Sequence, residues 1–239
     1  VSPAPKPGSK APAQKVPPAF QAKGVTKDYG DLVALEPLDL SIPEGQTVVL
    51  VGHNGSGKTT LLRMAAGLLD PSDGEIEIGG APAGSIDARA SLSYVPDNPV
   101  LYDDLSVFEH IEYTCRLHGA TDWEERAVGL LGDLGLAHRA DDLPSRFSRG
   151  LRQKTAILLA LIRPFDILIV DEPFVGLDPS GRDAFVELIE DASDAGATVV
   201  VATHQLEYVT RADRCVALRD GALVYDGPPG QVDVLSLVG

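Results

Sequence analysis

The chain has 239 residues, 44% of them hydrophobic, with 24 glycines and a formal charge of −15. That length and apolar content support a substantial core and exclude a fibrous or wholly disordered chain; alternating strand-like and helix-like runs point to one α/β domain with a smaller subdomain. The acidic balance argues against a nucleic-acid partner, since such binders draw most of their affinity from Lys and Arg neutralising phosphates.

Residues 1–18, VSPAPKPGSKAPAQKVPP, are Pro, Ala and Lys without apolar periodicity, and are expected to form a flexible tail ahead of a domain over 19–239. The tail lacks the apolar stretch of a signal peptide, and the longest later apolar run, 156–162, is far too short to span a bilayer, so the chain is expected to be soluble by itself. Cys115 and Cys215 stand apart, without zinc-site spacing, and read as reduced thiols in a cytoplasmic protein.

The apolar run 47–51 predicts a strand that leads into GHNGSGKTT, residues 52–60, and then a helix. Strand, Gly-rich loop and helix in this order make a phosphate cradle over Gly52, His53, Asn54, Gly55, Ser56, Gly57, Lys58, Thr59 and Thr60. Gly55 and Gly57 let successive backbone N–H groups turn toward one anion, and the helix N-terminus adds its positive dipole end. Lys58 supplies a point charge for β- and γ-phosphates, the Thr59 hydroxyl is placed to ligate Mg²⁺, and Thr60 supports the loop. His53 carries no chemistry of its own.

Two helices are predicted over 106–119 and 122–135, and a third begins after Ser148, its N-cap, burying Ile157, Leu158, Leu161 and Ile162. The segment DILIVDEP, 166–173, reads as a fully buried parallel strand whose carboxyl end delivers Asp171 to the metal and Glu172 as general base. Two adjacent acids there are costly without a cation or ordered water, which favours a metal and a nucleophile over structural ion pairs. TVVVATH, 198–204, is a further strand, and it carries His204 to the same sheet edge as a γ-phosphate contact. A hairpin turning at Asp220 and Gly221 follows.

Taken together these residues resemble the ABC ATPase family, over about 20–228. The resemblance implies a P-loop NTPase fold: a RecA-like core with a mostly parallel sheet, an antiparallel β-subdomain, and a helical subdomain inserted at about 98–147. It implies that Tyr29, in KDYGD, stacks on adenine. FSRGLRQK, 147–154, resembles the signature motif, whose Ser148 and Gly150 would face the ATP held by a second subunit, and VGLDP, 175–179, resembles the loop whose Asp178 communicates across that dimer. The implied partners are a second ATP-binding subunit and a separate transmembrane permease, which would hold the chain at the inner face of the membrane. The cofactors are ATP and Mg²⁺.

The chain departs from the family pattern at two places. Asp97 stands where a Gln usually reaches Mg²⁺; it keeps an oxygen for the cation with one methylene less reach and no donor. In the signature, Arg149 stands where a second Gly is common and reads as a solvated charge, and Leu151 replaces the usual Gln. An Arg after Ser148, with Arg152, Gln153 and Lys154 following, resembles the ABC-2 exporter branch. The alternatives are a soluble ABC ATPase acting in translation or repair, and a nucleotide sensor that barely hydrolyses ATP; Glu172 and His204 count against the sensor.

Overall fold

The computed structural model describes residues 16–230, so most of the expected tail lies outside the described residues. In chain order the elements are β1 (Phe20–Tyr29), β2 (Leu32–Ile42), β3 (Thr47–Val51), α1 (Lys58–Ala65), β4 (Asp73–Ile78), β5 (Ala81–Pro82), α2 (Ile86–Ser91), β6 (Leu92–Val95), α3 (Val107–Leu117), α4 (Trp123–Asp133), α5 (Arg149–Ile162), β7 (Ile167–Asp171), α6 (Pro179–Asp194), β8 (Thr198–Thr203), β9 (Arg214–Arg219) and β10 (Ala222–Gly227). They form two sheets. One is antiparallel, in the order β2-β1-β4-β5; the other runs β10-β9-β3-β8-β7-β6, parallel except where β10 pairs back on β9.

The central strands are apolar on both faces because both faces are covered. Val48 and Leu50 of β3, Ile167 and Ile169 of β7, and Val200 and Ala202 of β8 join α1 and the antiparallel sheet in one core cluster. Their neighbours Leu168, Val170, Val199 and Val201 point the other way, into a second cluster with α3, α4, α5 and α6. A one-residue slip of β7 or β8 would exchange these two sets and break both cores, so the register is firmly set. It also fixes which residues leave the sheet at its carboxyl edge.

Between β6 and α5 the chain makes the helical excursion of α3 and α4, both of which pack on α5. Ser106 and Glu109 close a reciprocal capping box at the start of α3, which satisfies two otherwise orphaned amides. His110, given no role from sequence, is buried there: its Nδ1 lies 2.8 Å from the Ser106 carbonyl, and its Nε2 accepts from the Tyr102 N–H at 2.9 Å. It therefore ties the loop entering α3 to the helix. The β9–β10 hairpin turns at Asp220 and Gly221, both with positive φ, as a two-residue turn between right-twisted strands demands. No helix among the described residues is long and apolar enough to cross a membrane.

Candidate active site

The loop between β3 and α1 is held from beneath. Gly57 has φ 103°, and a side chain there would meet the Ala34 carbonyl at 2.9 Å, so β2 presses directly on the loop where it becomes helix. Only glycine fits both constraints. Lys58 is 5% exposed. Its Nζ donates to the Gly52 carbonyl at 2.7 Å and to the His53 carbonyl at 3.3 Å, which folds the cation back over its own loop. His53 packs outward instead, its Nε2 3.2 Å from exposed Asp220. Asn54, Gly55 and Thr59 are exposed and Thr60 is half-buried, whereas Ser56 is buried with an unpartnered hydroxyl.

Three carboxyl-edge residues meet this loop. Asp171 ends β7, fully buried, and neither of its carboxylate oxygens has a hydrogen-bond partner. Glu172 follows with φ 48°, a left-handed backbone that a non-glycine residue adopts at a cost of about 1–2 kcal/mol and that recurs at functional sites. Its N–H donates to the Ala202 carbonyl at 2.8 Å, which anchors the turn to β8. Glu172 Oε1 lies 3.5 Å from Lys58 Nζ, and Oε2 lies 2.8 Å from His204 Nδ1. Lys58, the first residue of α1, and Glu172 and His204, the residues just after β7 and β8, thus form one continuous chain of contacts.

Burial drives Asp171 up to about 6, with the negative charges of Glu172 and Asp97 pushing the same way; the nearby Thr59 hydroxyl and Lys58 temper the rise, although no hydrogen bond to Asp171 is closed. A buried carboxylate pair of oxygens without partners is a strong acceptor aimed at something the chain does not supply. No three His, Cys, Asp or Glu side chains among the described residues form a metal cage. One carboxylate and one hydroxyl nevertheless fit Mg²⁺, which keeps several waters and takes the rest of its shell from phosphate oxygens.

This burial has a measurable consequence for the nucleotide-free chain. The folded-state value for Asp171 is about 6 against an unfolded 3.8, so the native state binds more protons across that window and its stability falls as pH rises through it. A shift of this size corresponds to at most about 3 kcal/mol at neutral pH. Asp171→Asn, which cannot ionise, is therefore expected to raise the thermal midpoint near neutrality and to lose that advantage as pH drops below about 4. An advantage that does not change between the two conditions would show that Asp171 is not strained by its charge.

The remaining candidates sit apart from this chain of contacts. Tyr29 lies at the end of β1 with its ring half exposed and the Lys27 ammonium 5.3 Å from its centroid. Ser148 caps α5, its hydroxyl accepting from Leu151 N–H at 3.3 Å. A side chain on Gly150 would run into the Gly176 carbonyl, so the start of α5 lies against the loop after β7. Asp178 N-caps α6 by position, yet its carboxylate binds Lys154 at 2.7 Å and Ser180 at 2.9 Å, and these contacts hold it down at about 2.

Asp97 is fully engaged within the chain. Arg149 Nη2 donates to its Oδ1 at 2.7 Å and Asn98 Nδ2 to its Oδ2 at 2.9 Å. Arg149 is accordingly an ion-pair partner, half exposed, and not only the solvated charge its sequence context suggests. No sequence signal marks either the Asp97–Arg149 or the Lys154–Asp178 pair, because nothing local links charges on separate loops and helices.

A family model described as ABC transporter matches residues 35–175. The SkfA peptide export ATP-binding protein SkfE of Bacillus subtilis (strain 168) is 36% identical over 210 residues, covering 87% of this chain and 88% of that protein. Among solved structures, an ATP-binding subunit of an ABC transporter superposes with a TM-score of 0.83 at 32% identity, covering 88% of this chain and 90% of that one. A dimeric, post-hydrolysis ATP-binding cassette bound to ADP and Pi superposes at 0.80 with 28% identity, covering 89% of this chain and all of that one (100%).

Proposed function

The chain belongs to the ABC transporter family of ATP-binding proteins, and we propose that it works as half of an ATP-clamped dimer beneath a separate membrane-spanning permease. It is an ATP-binding and ATP-hydrolysing transporter subunit. The contact chain from Lys58 through Glu172 to His204 carries the assignment of its catalytic residues.

In this reading, ATP displaces Lys58 from the Gly52 and His53 carbonyls onto its β- and γ-phosphates, and the amides of 55–59 close around the same oxygens. Thr59 and Asp171 would hold Mg²⁺, and the cation would supply positive charge to the phosphates. Glu172, freed from Lys58, orients a water in line with the γ-phosphorus and takes its proton. His204 Nδ1, 2.8 Å from Glu172 Oε2, fixes that carboxylate, and a proton on Nε2 is what lets the ring donate to the γ-phosphate. Tyr29 stacks on adenine. Ser148, Gly150 and Asp178 meet the nucleotide of the opposite subunit, either an identical chain or a similar one.

The permease seat lies where the chain exposes apolar side chains beside a groove. The groove runs between the loop 96–101 and helices α3 and α5, with Tyr94, Pro96, Leu101 and Leu159 among its walls. Val100 at its rim is 95% exposed, and Tyr102 and Leu117 stand nearby in sequence with more than half their surface open. A helix of the permease, amphipathic and apolar toward this groove, would cover them and keep the chain peripheral at the inner membrane face. The Arg149 form of the signature supports export, as does the export role carried in the name of the relative from Bacillus subtilis.

The experiment is to co-express the chain with its neighbouring reading frames and test whether it is retained by a polytopic membrane protein among them, with ATP turnover measured in any complex. Val100→Asp is expected to weaken retention at least about fivefold without altering the thermal midpoint, because its side chain touches little of its own fold. A chain that turns over ATP but is never retained by that protein would favour the soluble alternative.

A further inference from the structure

Two of the positions at which this chain departs from its family's pattern, Asp97 and Arg149, bind each other. The pair spans 52 residues of sequence, with an Nη2–Oδ1 distance of 2.7 Å. Asn98 holds the second carboxylate oxygen, so Asp97 is gripped from two sides. Arg149 is the first residue of α5, and its Cγ would lie 3.5 Å from a side chain placed on Gly176, so its stem runs along the loop after β7. One turn further on, Lys154 pairs with Asp178 of that same loop at 2.7 Å. Of the three cations in the opening turns of α5, Arg149 and Lys154 therefore each hold one of the loops that leave the adjacent parallel strands β6 and β7 at their carboxyl ends.

We propose that Asp97 and Arg149 form a latch that fixes the loop after β6 to the first turn of α5, with Arg149 the positioning residue and Asp97 its anchor and not a ligand of the nucleotide's cation. A carboxylate bound through each oxygen keeps a lone pair on both, but turning them to a metal would pull on the Arg149 contact, whereas both oxygens of Asp171 carry no hydrogen bond at all. The latch substitutes an ion pair between two parts of one chain for the Gln-to-cation contact that the family pattern would place at residue 97. Its consequence rests on the transporter reading above: loop 96–101 borders the groove assigned to the permease, so a push on that loop is passed through Arg149 to the α5 start and, by way of Gly150 and Lys154, to the loop of Asp178. The pair is partly exposed, 51% for Arg149 and 32% for Asp97, which makes it strong enough to bias the loop and weak enough to break.

The test has two arms on the full chain. In the first, hydrogen–deuterium exchange of the peptide 96–102 is followed without nucleotide. Asp97→Asn and Arg149→Gln are each expected to speed exchange there about two- to fivefold, the double variant no more than either alone, and the charge swap Asp97→Arg with Arg149→Asp to restore much of the protection. High salt should mimic the single variants. Single effects that multiply in the double variant, or no effect at all, would overturn the latch. In the second arm, Mn²⁺ replaces Mg²⁺ and its affinity for the ATP-loaded chain is read by electron paramagnetic resonance. Asp97→Asn is expected to leave that affinity within about twofold, whereas Asp171→Asn lowers it at least about tenfold. A tenfold loss with Asp97→Asn would make it a cation ligand and end the proposal. Failure of the unchanged chain to bind Mn²⁺ and ATP would count against the transporter reading alone, since the exchange arm decides the latch without nucleotide.

Discussion

Glu172→Gln is expected to lower ATP turnover by about 10² to 10⁴ and to leave the chain accumulating as an ATP-bound dimer. The substitution keeps the shape of the side chain and removes its ability to take a proton from water. It also removes a negative charge lying 3.5 Å from Lys58 and beside Asp171, so an incoming triphosphate meets less repulsion and a freer ammonium. Binding strengthens while chemistry stops, and the closed state has no exit. Size-exclusion with ATP and Mg²⁺ measures the dimer, and phosphate release measures the turnover. A Glu172→Gln variant that stays monomeric and turns over at the normal rate would take Glu172 out of the base role.

The same residue marks where sequence reading stops. That β7 would be a buried strand is legible in the continuous apolar run 167–170, and that its end would carry acids is legible in Asp171 and Glu172. Nothing in DILIVDEP announces that Glu172 adopts φ 48° while its amide bonds Ala202 across the sheet. That left-handed turn sends two adjacent carboxylates to different jobs: Asp171 buried at the strand end, Glu172 swung toward Lys58 and His204. Helix starts were equally legible, because Ser106 and Ser148 act through atoms within three residues of themselves. The P-loop glycines, too, announce a turn, although the pressure of Ala34 on Gly57 comes from a strand some twenty residues earlier and has no local sign.

Charge pairing was the least legible feature. Asp97 read alone suggests a shortened metal ligand and Arg149 read alone suggests a solvated cation, yet each is explained by the other. Periodicity and capping are local properties and survive in a single sequence. The contact between a loop after one strand and the first turn of a distant helix is a property of the packed core, in which α3, α4, α5 and the inner faces of β7 and β8 share one cluster. Arg163 makes the same point: it donates to the carbonyls of Leu92, Arg89 and Ala90 and fastens the end of α5 to the α2–β6 corner, a structural role that its place before Pro164 does not disclose.

Lys58→Ala is expected to reduce ATP affinity at least about thirtyfold, because losing one partner of a buried, charge-assisted contact costs about 2–5 kcal/mol. The resting geometry argues that the loss is specific to the phosphates. Without nucleotide the ammonium donates to Gly52 and His53 and faces Glu172, so its removal leaves Gly52 O and the already unpartnered Glu172 Oε1 beside Asp171 with no cation among them. Two acids with no neighbouring positive charge then repel the triphosphate that the loop amides still invite. Lys58→Arg separates charge from shape: the guanidinium restores the charge, but its planar fork does not fit the space that a single ammonium occupies between two carbonyls, so only a fraction of the affinity should return. Titration with a fluorescent ATP analogue, alongside thermal unfolding to confirm that both variants stay folded, gives the comparison. Undiminished affinity in Lys58→Ala would mean that the triphosphate is held elsewhere, and the convergence of Lys58, Glu172 and His204 would then be an accident of folding.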